Sequence, residues 1–182
     1  MTAWRSALVV LGLLLALVAV NRAIVGHERL LADGTRVLLP MSSFDTRAMM
    51  RGDALVVTYD DADAIQRALL RMALPDADTA TLLRRMSLRT HAHADGYAVF
   101  RIDGRDVGRF VRVQPAPMPR RAHEIALRVR LRGGGVKIPG DVWYFSEDQS
   151  AHYAAARYGE LRVDDDGTAL LTGLYDRDRK PL

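Results

Sequence analysis

The first apolar block along the chain, ALVVLGLLLALVAV from Ala7 to Val20, contains no polar residue. At about 1.5 Å per residue it reaches roughly 21 Å, short of a ~30 Å hydrocarbon core. Extending the helix from Ser6 to Val25 closes that gap, with Trp4 at one interface and Arg22 snorkelling at the other. A core helix of a soluble protein carries a polar face, and this segment shows none over about four turns. A cleaved signal peptide has the same charged start and apolar stretch. Its small-residue cleavage pattern is poorly matched here, since Leu17 precedes Ala19 and Asn21 precedes Ala23 at the −3 and −1 spacing. The segment therefore reads as an uncleaved signal-anchor helix over residues 1–29, with a body over 30–182. Flanking charge (Arg5 before, Arg22 and Arg29 after) barely selects an orientation. A short tail before a signal-like segment leaves the C-terminal body outside the cytoplasm. That predicts a single pass through the inner membrane with a periplasmic body.

Beyond the anchor the hydrophobic period changes. Gly26 to Thr35 reads as the exit from the membrane, with ADGT as a turn. TRVLLP predicts a short strand stopped by Pro40, SSFDTRAMMRGD a capped turn closed by Gly52, and Ala54 to Tyr59 a buried strand. Ile65, Leu69 and Met72 recur at helical spacing, Asp60, Asp61 and Asp63 suit the positive end of a helix dipole, and Pro75 comes next. These features predict a helix over Asp60–Leu74, and DADTATLLRRM predicts a shorter second one. GYAVFRI and VGRFVRV flank DGRD as a hairpin. In HEIALRVRLRGGG, Ile125, Leu127, Val129 and Leu131 alternate with Arg128, Arg130 and Arg132, the signature of a half-buried antiparallel strand. Gly133 to Gly135 read as a flexible turn. VWYF predicts a strand, then a helix capped by Ser146, rich in alanine and ended by Gly159. ELRVDDDGTALLTGLY closes with a hairpin across DDDG. The sum is an α+β fold, mostly antiparallel β-sheet with two or three short helices, behind one N-terminal transmembrane helix.

Charge changes this picture little. The chain of 182 residues carries a net charge of +4, with 24 Arg against Lys137 and Lys180. Eighteen Asp are interspersed with the Arg, so the expected surface is a mixed, solvated one and nucleic acid is not an expected partner. The Arg128–Arg130–Arg132 ladder lacks the interleaved aromatics of a nucleic-acid reader. Absence of cysteine excludes disulfides, Cys-ligated zinc and thiol nucleophiles.

Two stretches, RGDALVVTYD and YFSEDQSAHYAAARYGELRV, resemble the GDYXXLXY proteins, bacterial membrane-anchored proteins of uncharacterised function. Gly52, Asp53 and Tyr59 match the first pattern, while Ala54 and Val57 stand where that family has Tyr and Leu. Tyr144, Phe145, Glu147, Tyr153, Ala156, Arg157, Tyr158, Gly159 and Glu160 match the second. The resemblance implies an anchored extracytoplasmic domain, often encoded beside a multi-pass membrane protein. It implies no reaction.

The candidate site residues come from these stretches. Asp53 can accept the guanidinium fork of Arg157, with Glu160 beside the Tyr158–Gly159 corner, so that the two motifs clamp each other. Tyr59, Tyr153 and Tyr158 surround that clamp, Tyr144 belongs to the same matched motif, and Glu147 sits in the first turn of the preceding helix. His91 and His93 with Asp95 make an H-x-H of metal-ligand type without an identifiable third ligand. His152, near Glu147 and Asp148, is chemically able to do acid–base work but is expected to face solvent. A Ser–Lys dyad from Ser42 or Ser43 with Lys137 would make a membrane-tethered serine hydrolase. Its layout is similar to that of membrane-anchored signal peptidases, and it requires a buried Lys137. The reading adopted is a non-enzymatic accessory or binding domain without cofactor. It contacts lipid through its helix and works with a multi-pass membrane protein.

Overall fold

The structure is a computed structural model, which describes residues 3–42, 54–75, 93–133, 135–145 and 149–182. It divides into two compact units, Met1–Gly34 and Thr35–Leu182. The first is helix α1, Ala3–Asp33, whose 31 residues rise about 46 Å. Within Leu8–Asp33 an 18-residue apolar window has a mean hydropathy of 2.5, and none of that window is buried. This helix is long and apolar enough to cross a bilayer. Of the expected ADGT turn, Ala32 and Asp33 remain helical, and the helix continues through Gly26. Glu28, Arg29, Leu30 and Leu31 are good helix formers, and one glycine at about 1 kcal/mol does not stop them.

The second unit contains, among the described residues, strands β1 (Thr35–Pro40), β2 (Ala54–Val56), β3 (Ala94–Ile102), β4 (Gly108–Gln114), β5 (Glu124–Arg132), β6 (Gly135–Lys137), β7 (Val142–Tyr144), β8 (Tyr158–Val163) and β9 (Ala169–Tyr175). Helices α2 (Ala62–Ala73) and α3 (Ser150–Tyr153) complete it. The strands form a four-stranded sheet β4-β3-β5-β6, a three-stranded sheet β1-β8-β9 and a ribbon β2-β7. Every pairing between these strands is antiparallel, as the alternating pattern predicts.

Register explains the core. Ala98 and Phe100 of β3 lie opposite Leu127 and Ile125 of β5, so the apolar alternation of both strands falls on one face. Helix α2 packs there through Ile65, Leu69 and Leu70. Val37 and Leu39 of β1, Leu161 of β8 and Leu174 of β9 enter the same cluster from the three-stranded sheet. Asp61 precedes α2 without capping it, and its carboxylate instead accepts the backbone N–H of Phe110 at 3.3 Å.

Two local expectations are corrected. Helix α3 is only four residues long, and Gly159 does not end it but lies inside β8. Pairing with β1 and β9 outweighs the alanine propensity, and the site is tight: a Cβ at Gly159 would lie 3.0 Å from Leu171 Cδ1 and 3.4 Å from the Tyr59 ring. The glycine turn after β5 does form but is tighter than expected: Gly133 lies in the turn, and Gly135 already opens β6, paired with Arg132.

Candidate functional site

Strand β8 alternates between two environments. Gly159, Leu161 and Val163 face the core, while Tyr158, Glu160 and Arg162 share the opposite face. Register sets Arg36, Leu38 and Pro40 of β1 opposite Arg162, Glu160 and Tyr158, and Tyr175 of β9 opposite Tyr158. One polar sheet face thereby collects two arginines, two tyrosines and a carboxylate from distant parts of the chain.

Glu160 is the centre of that face. Its side chain is 9% exposed and accepts Arg36 Nε at 2.9 Å on Oε2. Thr172 Oγ1 donates to Oε1 at 3.1 Å, and Arg162 Nε lies 3.6 Å from Oε1. Burial pushes the Glu160 carboxyl up, but hydrogen bonds from Tyr175, Arg36 and Thr172 outweigh it and hold the group below the usual carboxylate range. Arg36 in turn reaches Asp106 at 2.9 Å and lies 5.4 Å over the Tyr175 ring. A carboxylate engaged from so many sides is a joint between β1, β8 and β9 rather than a proton donor. Glu160→Gln is expected to lower stability by about 1–2 kcal/mol, because the shape remains and the charge is lost. Equilibrium denaturation measures this, and an unchanged midpoint would remove the joint.

The two stretches that carry the family resemblance meet in the core. Tyr59 is 4% exposed, bridges to Met41, and donates its hydroxyl to the Gly140 carbonyl at 3.0 Å. Burial, then the charge of Asp141, pushes this phenol up. The N–H of Met41 donates to the carbonyl of Arg157 at 2.8 Å, and Gly159 packs against the Tyr59 ring. Backbone and packing thus join Tyr59 to the Arg157–Glu160 stretch. Arg157 donates Nη1 to the carbonyls of Ala154 at 3.2 Å and Ala156 at 2.6 Å. Asp53, its expected partner, lies outside the described residues, as do Ser43, Gly52, Glu147 and His91.

The remaining candidates separate. Tyr153 packs against Trp143 and Phe145, with centroids 6.2 and 5.4 Å apart. Tyr144 is 78% exposed. Lys137 is exposed and pairs with Asp141 at 3.2 Å, so the burial that a Ser–Lys dyad requires is not met, and Ser42 Oγ bonds Asp60 at 2.9 Å. His93 and His152 are exposed, and the described residues hold no group of three or more potential metal ligands.

Tyr158 opens onto a cleft of about 530 Å³ lined by Asp103, Gly104, Arg105, Val107, Arg109 and Arg179. The β3–β4 turn is brought there because Leu38 N–H donates to the Asp106 carbonyl at 2.7 Å and Leu38 bridges to Val107. Sequence reasoning missed Arg36, Thr172, Tyr175 and this turn. The Arg36–Glu160 contact spans 124 positions, and the polar side of each strand was its only local signal.

The sequence model of the GDYXXLXY protein family matches residues 16–174, and the chain belongs to that family. No curated protein and no solved structure matches it.

Proposed function

We propose that this protein is a membrane-tethered accessory domain: α1 holds it in the inner membrane as a single pass, and the periplasmic body binds a multi-pass membrane protein. The observation that supports this reading is the outer face of the β2-β7 ribbon. Val56 and Val142 pair on it and are 59% and 37% exposed, and Tyr144 continues the same face at 78%. A motif tyrosine whose ring is left in solvent does little for the fold, whereas aromatic and apolar side chains together suit the centre of a protein interface. The saturated Glu160 supports a scaffold role for the other half of the motif.

The test is copurification of the full chain from native membranes in mild detergent with the multi-pass protein encoded beside it, for wild type and for the double variant Val142→Ser, Tyr144→Ser. The partner is expected with wild type and depleted about tenfold or more with the variant, the loss that roughly 1.4 kcal/mol produces. Melting should be unchanged, since both side chains are exposed. Wild type recovered alone sinks the reading. A cysteine placed at exposed Asp165 should react with a membrane-impermeant maleimide in cells with a permeabilised outer membrane and intact inner membrane; protection there would put the body on the other side.

A further inference from the structure

We propose that the cleft beside Tyr158 binds a phosphate-bearing anion. This goes beyond the partner-binding reading and does not depend on it. Three arginines from separate elements line the cleft: Arg105 from the β3–β4 turn, Arg109 from β4 and Arg179 from the turn after β9. Many other arginines of the body hold a carboxylate. Arg36, Arg101, Arg112, Arg120, Arg132 and Arg162 are all in salt bridges, whereas Arg105, Arg109 and Arg179 are in none among the described residues.

The single acidic lining residue does not cancel them. Asp103 Oδ1 accepts the N–H groups of Arg105 at 2.8 Å and Val107 at 3.0 Å, so its carboxylate closes the turn. Three guanidinium groups against one carboxylate leave the lining with a surplus of two positive charges. The turn carrying Arg179 is also fixed, by Arg179 N–H to the Asp176 carbonyl at 3.1 Å and Lys180 N–H to Asp176 Oδ1 at 2.8 Å. A second basic cleft along β5 carries the same charge count, with Arg128, Arg130 and a Lys137 paired to Asp141 at 3.2 Å, but its two arginines come from one strand rather than from separate elements.

The arrangement suits phosphate more than carboxylate. A planar carboxylate offers two oxygens to one fork, whereas a tetrahedral phosphate offers separate oxygens to several donors carried by separate elements. Tyr158, half-buried in the wall, adds a hydroxyl. At about 530 Å³ the cleft has room for an organic remainder beyond the phosphate. Both a soluble phosphomonoester and the phosphate of an anionic lipid headgroup carry that chemistry.

The full chain in nonionic maltoside micelles would be titrated calorimetrically with glycerol phosphate and, separately, with short-chain phosphatidylglycerol. Saturable binding that weakens with salt is expected from at least one of them. Arg105→Gln, Arg109→Gln and Arg179→Gln should each weaken it by roughly three- to tenfold, and the triple variant should abolish it, with melting retained. Arg128→Gln, in the other cleft, should leave it unchanged. Binding of glycerol phosphate identifies a soluble ester, and binding of phosphatidylglycerol alone identifies a headgroup. Absence of both, or binding that survives in the triple variant, overturns the proposal, and partner copurification would be untouched by that result.

Discussion

Glu124→Ala is expected to destabilise the body by about 3 kcal/mol. The Glu124 side chain is fully buried, and Arg112 grips both its oxygens at 3.1 and 3.0 Å. The Arg121 N–H adds a bond at 3.0 Å, and Arg101 stands 3.8 Å away. Alanine leaves those donors without an acceptor. Arg112 is 35% exposed and can rehydrate, so the loss falls at the lower end of the range for a broken buried pair. Acid tests the same contact. Arg112, then the Arg121 N–H, lowers the Glu124 carboxyl from 4.5 to about 2. A folded-state value below the unfolded one means that the contribution is complete above about 4.5 and is lost as pH falls towards about 2. Wild-type stability should therefore decline through that window, and the difference from Glu124→Ala should shrink with it. Parallel acid profiles would show that Glu124 contributes no charge-dependent stability.

Gly140→Ala is the second large expectation, at about 3 kcal/mol or more. Gly140 has φ of +76°, which strains any residue with a Cβ. The added carbon would also stand 2.6 Å from Leu171 Cβ, an atom fixed to the backbone that cannot swing aside. The same residue accepts the Tyr59 hydroxyl, so displacement would also break the bond that seats the buried phenol. Gly135→Ala is the control: its Cβ meets nothing within 4 Å, and its melting temperature should stay close to that of wild type. Equal losses in both variants would mean that chain flexibility, and not the contact with Leu171, sets the cost.

Much of the architecture was legible because it rests on local periodicity. The alternation of Ile125, Leu127, Val129 and Leu131, the helical spacing of Ile65 and Leu69, and the turns at DGRD and DDDG all appear where their residue types predict. The reading failed where a distant partner overrides local preference. Alanines from Ala154 to Ala156 favour helix, yet Arg157 N–H is taken by the Tyr175 carbonyl at 2.7 Å and the chain turns into β8. The site was legible only in part for the same reason. Glu160, Tyr158 and Tyr59 were named from their motifs, but what surrounds them depends on register between β1, β8 and β9, which no single segment encodes. Asp106 is a turn residue in sequence, and only the approach of that turn to β1 makes it the second partner of Arg36.

The pairing of β1 with β8 also orders the events of synthesis. Strand β1 is the first part of the body to emerge after α1, and its main sheet partner begins at Tyr158, near the other end of the chain. Until that late stretch has been made, Val37 and Leu39 have no sheet to complete, and the loop separating the strands must be closed at an entropic cost that grows with its length. The opening strand must therefore wait without its sheet partner through most of translation, with the Leu38 contacts to Asp106 and Val107 available earlier. Anything that shields Val37 and Leu39 during that interval protects the newborn chain, and termination before Tyr158 would yield a product with its stickiest edge uncovered.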